Sequence, residues 1–341
     1  MDNLFQILFS DAKSIVEKIN FEKLKGKSII ITGASGLVGI NLLTSLRIAF
    51  ESIKDILIYP VIYSEPSPFL RELFNSVGIH YMQGDITDEN FCSNLPEADY
   101  IIHAAGYAQP LKFMEDPLKT FRVNTCSTIS LFKKLKQNGK FLFISSSEVY
   151  SGLNKNIFYE NEIGNTNTTH PRACYIEGKK GGETIVNSLR TLGVNATSAR
   201  LSLVYGPGTK SNDKRVLSSF IEKGLRGEIK LLDKGEAIRT YCYITDAVEI
   251  LLNILIEGKE PIYNVGGYSI ISIANLAKKI GEIINVPVIF PKQNEGIPGA
   301  PQEVRLDLSL IENEFKKHKF VNIEQGLENS INWYKNIKGF F

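Results

Sequence analysis

Ile29-Ile30-Ile31-Thr32-Gly33-Ala34-Ser35-Gly36-Leu37-Val38-Gly39 is the stretch that decides the fold. Three consecutive isoleucines predict a strand buried on both faces, the glycines a tight turn, and the apolar spacing from Leu37 onward a helix. Glycine lets the backbone approach a pyrophosphate without a β-carbon clash. The helix start beyond it offers unpaired N–H groups and a partial positive charge. Gly33, Gly36, Leu37, Val38 and Gly39 are therefore the expected pyrophosphate-binding set. An ordinary glycine-rich turn is the plainer alternative, but strand, turn and helix all fall where a dinucleotide motif requires them.

Working outward, strand-like runs at 28–31, 56–63, 100–103 and 141–144 alternate with helical stretches at 38–50, 68–77 and 116–137. That alternation predicts an α/β fold, a Rossmann-type doubly wound parallel sheet with helices on both faces. After Tyr205 the alternation breaks. A helix at 215–226 and short strands at 241–243 and 262–265 suggest a smaller C-terminal α+β substrate-binding domain. The expected division is an N-terminal helical extension over 1–26, a dinucleotide-binding Rossmann domain over 27–204 with returning segments near 239–266, and a mainly substrate-binding domain over 205–341. Leu4, Ile7, Leu8, Ala12, Ile15, Val16 and Ile19 give the extension one apolar helical face, expected to dock on its own chain.

The far end of the cofactor would meet Asp85 and Ile86 after the third strand, with Ala104 and Ala105 leaving room after the fourth. A ribose-binding acid belongs at the end of the second strand, where the chain offers Tyr63-Ser64-Glu65. Glu65 is the candidate, with an exposed loop carboxylate as the plainer reading. No basic residue immediately follows to receive a 2′-phosphate, which favours NAD over NADP.

Tyr175 and Lys179 are one helical turn apart and share a face. An ammonium beside a phenol favours phenolate, and so a general base near neutral pH. Alone, this spacing is as readily a surface pair. The serine run Ser145-Ser146-Ser147 at the end of the 141–144 strand strengthens it, because open α/β sheets place chemistry there. Asn124 is positioned to support the lysine through water. Gly178, Gly181 and Gly182 interrupt the same helix, as they would if a cofactor or a partner helix came close.

The segments TGASGLVG (32–39), HAAG (103–106), SSSEVY (145–150), YIEGK (175–179), VYGPG (204–208) and RTYCYITDAV (239–248) occur in the order seen in extended short-chain dehydrogenases acting on nucleotide-sugars, the NAD-dependent epimerase/dehydratase family. Over 27–334 the chain resembles that family, and within it the UDP-glucuronate decarboxylases, through HPRACYIEGK (170–179) and DKRVLSSF (213–220). The resemblance implies that Ser146 hydrogen-bonds the sugar C4 hydroxyl, Tyr175 takes its proton and Lys179 holds the nicotinamide ribose. It implies a catalytic Glu148, substrate contacts from Arg215, Arg239 and Arg305, bound NAD, and a homodimer through the helices at 116–137 and 175–192. Leu203 stands where the family has an amide expected to touch the sugar nucleotide. A 4,6-dehydratase or a 4-epimerase begins with the same C4 oxidation and remains open, as does a non-catalytic NAD-binding regulatory protein.

Composition narrows the classes. In 341 residues, 39 Lys and Arg against 37 Asp and Glu leave a formal charge of +2, which argues against nucleic acid as a partner. Four scattered cysteines and four histidines show no metal-ligand spacing. No apolar run reaches membrane-spanning length and the first residues lack a basic signal-peptide region, so no membrane association and a cytoplasmic location are expected.

Overall fold

The computed structural model describes residues 2–211, 213–291 and 305–337. Residues 212, 292–304 and 338–341 of the expected C-terminal domain, and residue 1 of the extension, lie outside it. The glycine motif reads as anticipated. Strand β1 (Ser28–Thr32) is buried along its whole length and leads through the turn into helix α2 (Leu37–Ile53), with α1 being Asp2–Val16. Strands β2 (Leu57–Ile62), β3 (Met82–Gln83), β4 (Ala98–His103) and β5 (Leu135–Ser146) follow.

These form one seven-stranded sheet, ordered from one edge as Ile262–Val265, Asn195–Leu201, β5, β4, β1, β2 and β3. Every pairing in it is parallel. Strand order reverses between β1 and β4, opening a crevice at their carboxyl ends where α/β sheets bind ligands. Side chains alternate between two cores, as a twofold strand period demands. Ile29 and Ile31 join a large cluster with α1 and α2, while Ile30 joins Phe141 and Phe143 on the opposite face.

The N-terminal helix packs on the chain itself: Leu4, Leu8, Ala12 and Ile15 are all buried. Beyond Leu201 a second, three-stranded sheet joins Leu203–Tyr205, Ile238–Tyr243 and Ser269–Ser272. Helix Ile244–Glu257 and strand Ile262–Val265 then return to the large sheet. Among the described residues, no helix is long and apolar enough to cross a membrane.

One expected element divides. The stretch 116–137 is two helices, Pro117–Asn124 and Cys126–Phe132, separated by Thr125 at φ −112°, ψ −76°, and its last residues begin β5. Apolar spacing continues across Thr125 without glycine or proline, so periodicity alone reads one helix.

Candidate active site

Strand β5 ends at Ser146, whose hydroxyl caps the short helical turn Ser147–Tyr150 by accepting from the Glu148 N–H at 3.2 Å. Helix Ala173–Thr191 brings Tyr175 and Lys179 to the same place. Glycine makes that position possible. A β-carbon at Gly182 would stand 2.3 Å from the Phe143 ring and 2.7 Å from the Asn124 carbonyl oxygen. The helix glycines thus serve close packing against β5 and helix Pro117–Asn124, the second of the two reasons anticipated.

Lys179 is buried and donates to the Ile144 carbonyl at 2.7 Å, its ammonium 4.9 Å from the Phe143 ring centroid and 5.8 Å from that of Tyr175. Burial pushes the Lys179 ammonium down to about 7. Tyr175 is buried as well, under Phe113, whose ring stacks on it at 4.7 Å and 10°. Burial pushes the phenol up to about 12, partly offset by the Ser146 hydroxyl. In the protein alone, burial is the largest influence on the phenol and raises it, opposite in direction to the priming expected of Lys179.

Glu148 pairs with Arg172, which also lies 5.7 Å from the Phe113 ring centroid. Both line a cleft of about 840 Å³, together with Arg215, Arg239, Tyr205 and Tyr241. Arg215 is held by Asp213, its Nη2 at 2.6 Å from the carboxylate. Arg239 donates to the Ile238 carbonyl at 2.8 Å, and burial lowers its guanidinium from the usual value. Leu203 lies on the same wall. Arg305 does not: it sits on a short strand beside Ile157–Phe158, and only its neighbour Leu306 reaches a small recess with Ser147 and Arg239.

The glycine turn meets the end of β4. Gly33 adopts φ +69°, and a β-carbon there would stand 2.7 Å from the Ala104 carbonyl oxygen, so glycine is required twice over. Ala105 N–H donates to Thr32 Oγ1 at 3.2 Å, and Leu37 and Val38 open α2. Ile86 is buried. Asp85 bonds Lys119 at 2.7 Å and Thr87. Burial works against its charge, but these bonds win and hold its carboxyl below the ordinary value. Glu65 is 65% exposed and paired with Arg71, the plainer of its two readings.

Whether these residues suit a dinucleotide can be tested on one atom. Asn124 donates to the Thr120 carbonyl at 2.8 Å, yet its Oδ1 is a buried acceptor without a hydrogen-bond partner among the described residues. That oxygen and Lys179 Nζ both lie within 4.0 Å of where a Gly106 β-carbon would stand. A ribose hydroxyl, or a water beside one, is the kind of donor that acceptor calls for.

The family model for the NAD dependent epimerase/dehydratase family matches residues 29–266. The chain belongs to that family. It is accordingly an NAD-dependent enzyme. UDP-glucuronic acid decarboxylase 6 of Arabidopsis thaliana is 30% identical, over 88% of this chain and 86% of the relative. Two solved structures share the fold. DesIV, a dTDP-glucose 4,6-dehydratase from Streptomyces venezuelae, has TM-score 0.79 and 19% identity over 92% of this chain and 98% of that one. UDP-glucose 4-epimerase of Thermotoga maritima has TM-score 0.77 and 22% identity over 91% and 99%.

Sequence reading did not find Arg172, Phe113 or Lys119. Arg172 carried a signal, standing three residues before Tyr175 and so on the same side of its helix. Phe113 and Lys119 carried none, because the fold alone brings them in.

Proposed function

We propose that this epimerase/dehydratase-family enzyme decarboxylates UDP-glucuronate through transient oxidation at C4. The observation that supports this best is the meeting of Glu148 and Arg172 beside Ser146 and Tyr175, in a cleft that also holds Lys214, Arg215 and Arg239. Such cations suit a diphosphate and a uronate carboxylate together. The activity named for the Arabidopsis relative supports the same reading.

In this account the turn from Gly33 to Gly39 holds the NAD pyrophosphate, Lys179 and Asn124 the nicotinamide ribose, and Asp85, Ile86, Ala104 and Ala105 flank the rest. Held by these residues, NAD would supply reversible hydride chemistry at the sugar C4. Ser146 orients the C4 hydroxyl and Tyr175 takes its proton. The resulting C4 ketone lies β to the carboxylate, so the electrons left by departing carbon dioxide are delocalised onto it. Glu148, steered by Arg172, stands on the cleft wall for proton movement at C5. Arg215 and Arg239 hold the substrate's phosphates and sugar. Two copies of the chain would pair through helices Pro117–Asn124, Cys126–Phe132 and Ala173–Thr191, covering Leu118 (78% exposed), Phe121 and Ile129.

Mass spectrometry after incubation with UDP-glucuronate and, separately, with nucleotide-hexoses tests the reading. Loss of carbon dioxide from the uronate, abolished in Tyr175→Phe, is expected. Loss of water from a hexose would make the enzyme a 4,6-dehydratase, and binding of NAD without any tyrosine-dependent turnover would make it a non-catalytic protein.

A further inference from the structure

Ser146 and Glu148 lie on one short span, running from the end of β5 into the turn Ser147–Tyr150. Both ends of that span are tied to the same buried ion pair. At one end, Ser145 donates to the Glu183 carboxylate at 2.5 Å. At the other, the Tyr150 hydroxyl accepts from Arg200 Nη1 at 2.8 Å and donates to the Asn264 amide oxygen at 2.7 Å. Arg200 stands on strand Asn195–Leu201, in register with Ser145, and joins Glu183 at 2.8 Å. Glu183 belongs to helix Ala173–Thr191, one turn beyond Lys179 and on the same face as Lys179 and Tyr175. A single ion pair therefore links β5, the turn and the helix, the three elements that carry the catalytic candidates.

Apolar side chains would often stabilise such a spot as well as a buried ion pair does. What the pair adds is geometry, because a planar guanidinium fork against a carboxylate fixes direction as well as distance. Within the turn, Val149 and Tyr150 are the buried residues, so Glu148 on the cleft wall is located by what holds its neighbours. Arg200 also donates to the carbonyls of Glu160 and Glu162, which fixes the segment behind the turn. We propose that Glu183 and Arg200 are positioning residues: through Ser145 and Tyr150 they set where Ser146 and Glu148 stand relative to Tyr175. The proposal rests on the C4-oxidation reading of the site and deepens it.

Tyr150→Phe and Ser145→Ala each delete one hydroxyl and leave Glu183 bonded to Arg200, so they test the two ties separately in the full-length enzyme. Each should lower kcat about tenfold while KM and the NAD dissociation constant stay within about threefold. Glu183→Ala, which breaks the pair itself, should cost kcat about a hundredfold. Double variants separate positioning from general loosening. In a Glu148→Gln background, Tyr150→Phe should cost less than about a further twofold, because a residue acting through Glu148 has nothing left to align. Ser145→Ala should add equally little to Ser146→Ala. Thermal melts report whether each variant folds, and either hydroxyl deletion decides if the other does not fold. Values of kcat within about twofold of wild type in the folded single variants would overturn the proposal, as would effects that multiply in full in the double variants. Wild type that turns over no nucleotide-sugar would remove the catalytic reading, and this proposal with it.

Discussion

Replacing Glu183 with alanine should destabilise the protein by about 3 kcal/mol, and the reason lies beneath the catalytic strand. Glu183 and Arg200 form an ion pair with side chains 5% and 3% exposed, bonded at 2.8 Å between Nη2 and Oε2 and at 3.0 Å between Nε and Oε1. Ser145, next to Ser146, donates to the same carboxylate at 2.5 Å. Removing one partner of a buried pair costs ~3–5 kcal/mol, because the other charge stays buried without compensation. Arg200 would keep the Tyr150 hydroxyl at 2.8 Å and the carbonyls of Glu160 and Glu162 at 3.0 and 2.8 Å, which places the cost at the lower end. At ~2 °C per kcal/mol, the melting temperature should fall by about 6 °C. Urea unfolding of wild type, Glu183→Ala and Glu183→Leu/Arg200→Met measures this directly. The double variant leaves no buried charge but takes partners from the Ser145 hydroxyl and the Glu160 and Glu162 carbonyls, so it should recover part of the loss. A single-variant cost below about 1 kcal/mol, or a double variant no better than the single, would refute the reasoning.

Tyr175→Phe should lower kcat by ~10²–10⁴-fold and leave substrate affinity within a few-fold, because it removes a proton acceptor but little volume. Steady-state kinetics with a binding titration checks both. Asp11, on α1, accepts from the Tyr243 hydroxyl at 2.8 Å, and burial pushes its carboxyl up to about 6. A folded-state value above the unfolded one gives stability that is full below pH ~4 and is lost as pH rises through ~6. Asp11→Asn should therefore stabilise by about 1–2 kcal/mol at pH 8 and by almost nothing at pH 4, read from denaturant midpoints; an equal effect at both would contradict it. Leu8→Ala should cost about 3 kcal/mol, because Leu8 is 0% exposed within the large core. A loss under about 1 kcal/mol would mean that α1 is not part of that core.

What could be read from sequence was local. The glycine turn, the strand before it and the Tyr175–Lys179 spacing each depend on a few neighbouring residues, and the strand expected at 262–265 falls on Ile262–Val265. The division at Thr125 was not legible because no glycine or proline announces it. The electrostatics of the site were hidden for another reason. Whether Lys179 primes Tyr175 depends on burial, which Phe113 supplies from a separate helix. Asp85, Tyr63 and Lys119 meet only because the paired strands β2 and β3 end side by side, within reach of Lys119.

The most direct test of the catalytic account follows the C4 hydrogen. UDP-glucuronate deuterated at C4, turned over in ordinary water, should release carbon dioxide and yield a pentose that keeps deuterium at C4 and gains one solvent hydrogen at C5, with no net NADH formed. Deuterium lost from C4 into solvent, or decarboxylation undiminished in Tyr175→Phe, would contradict it.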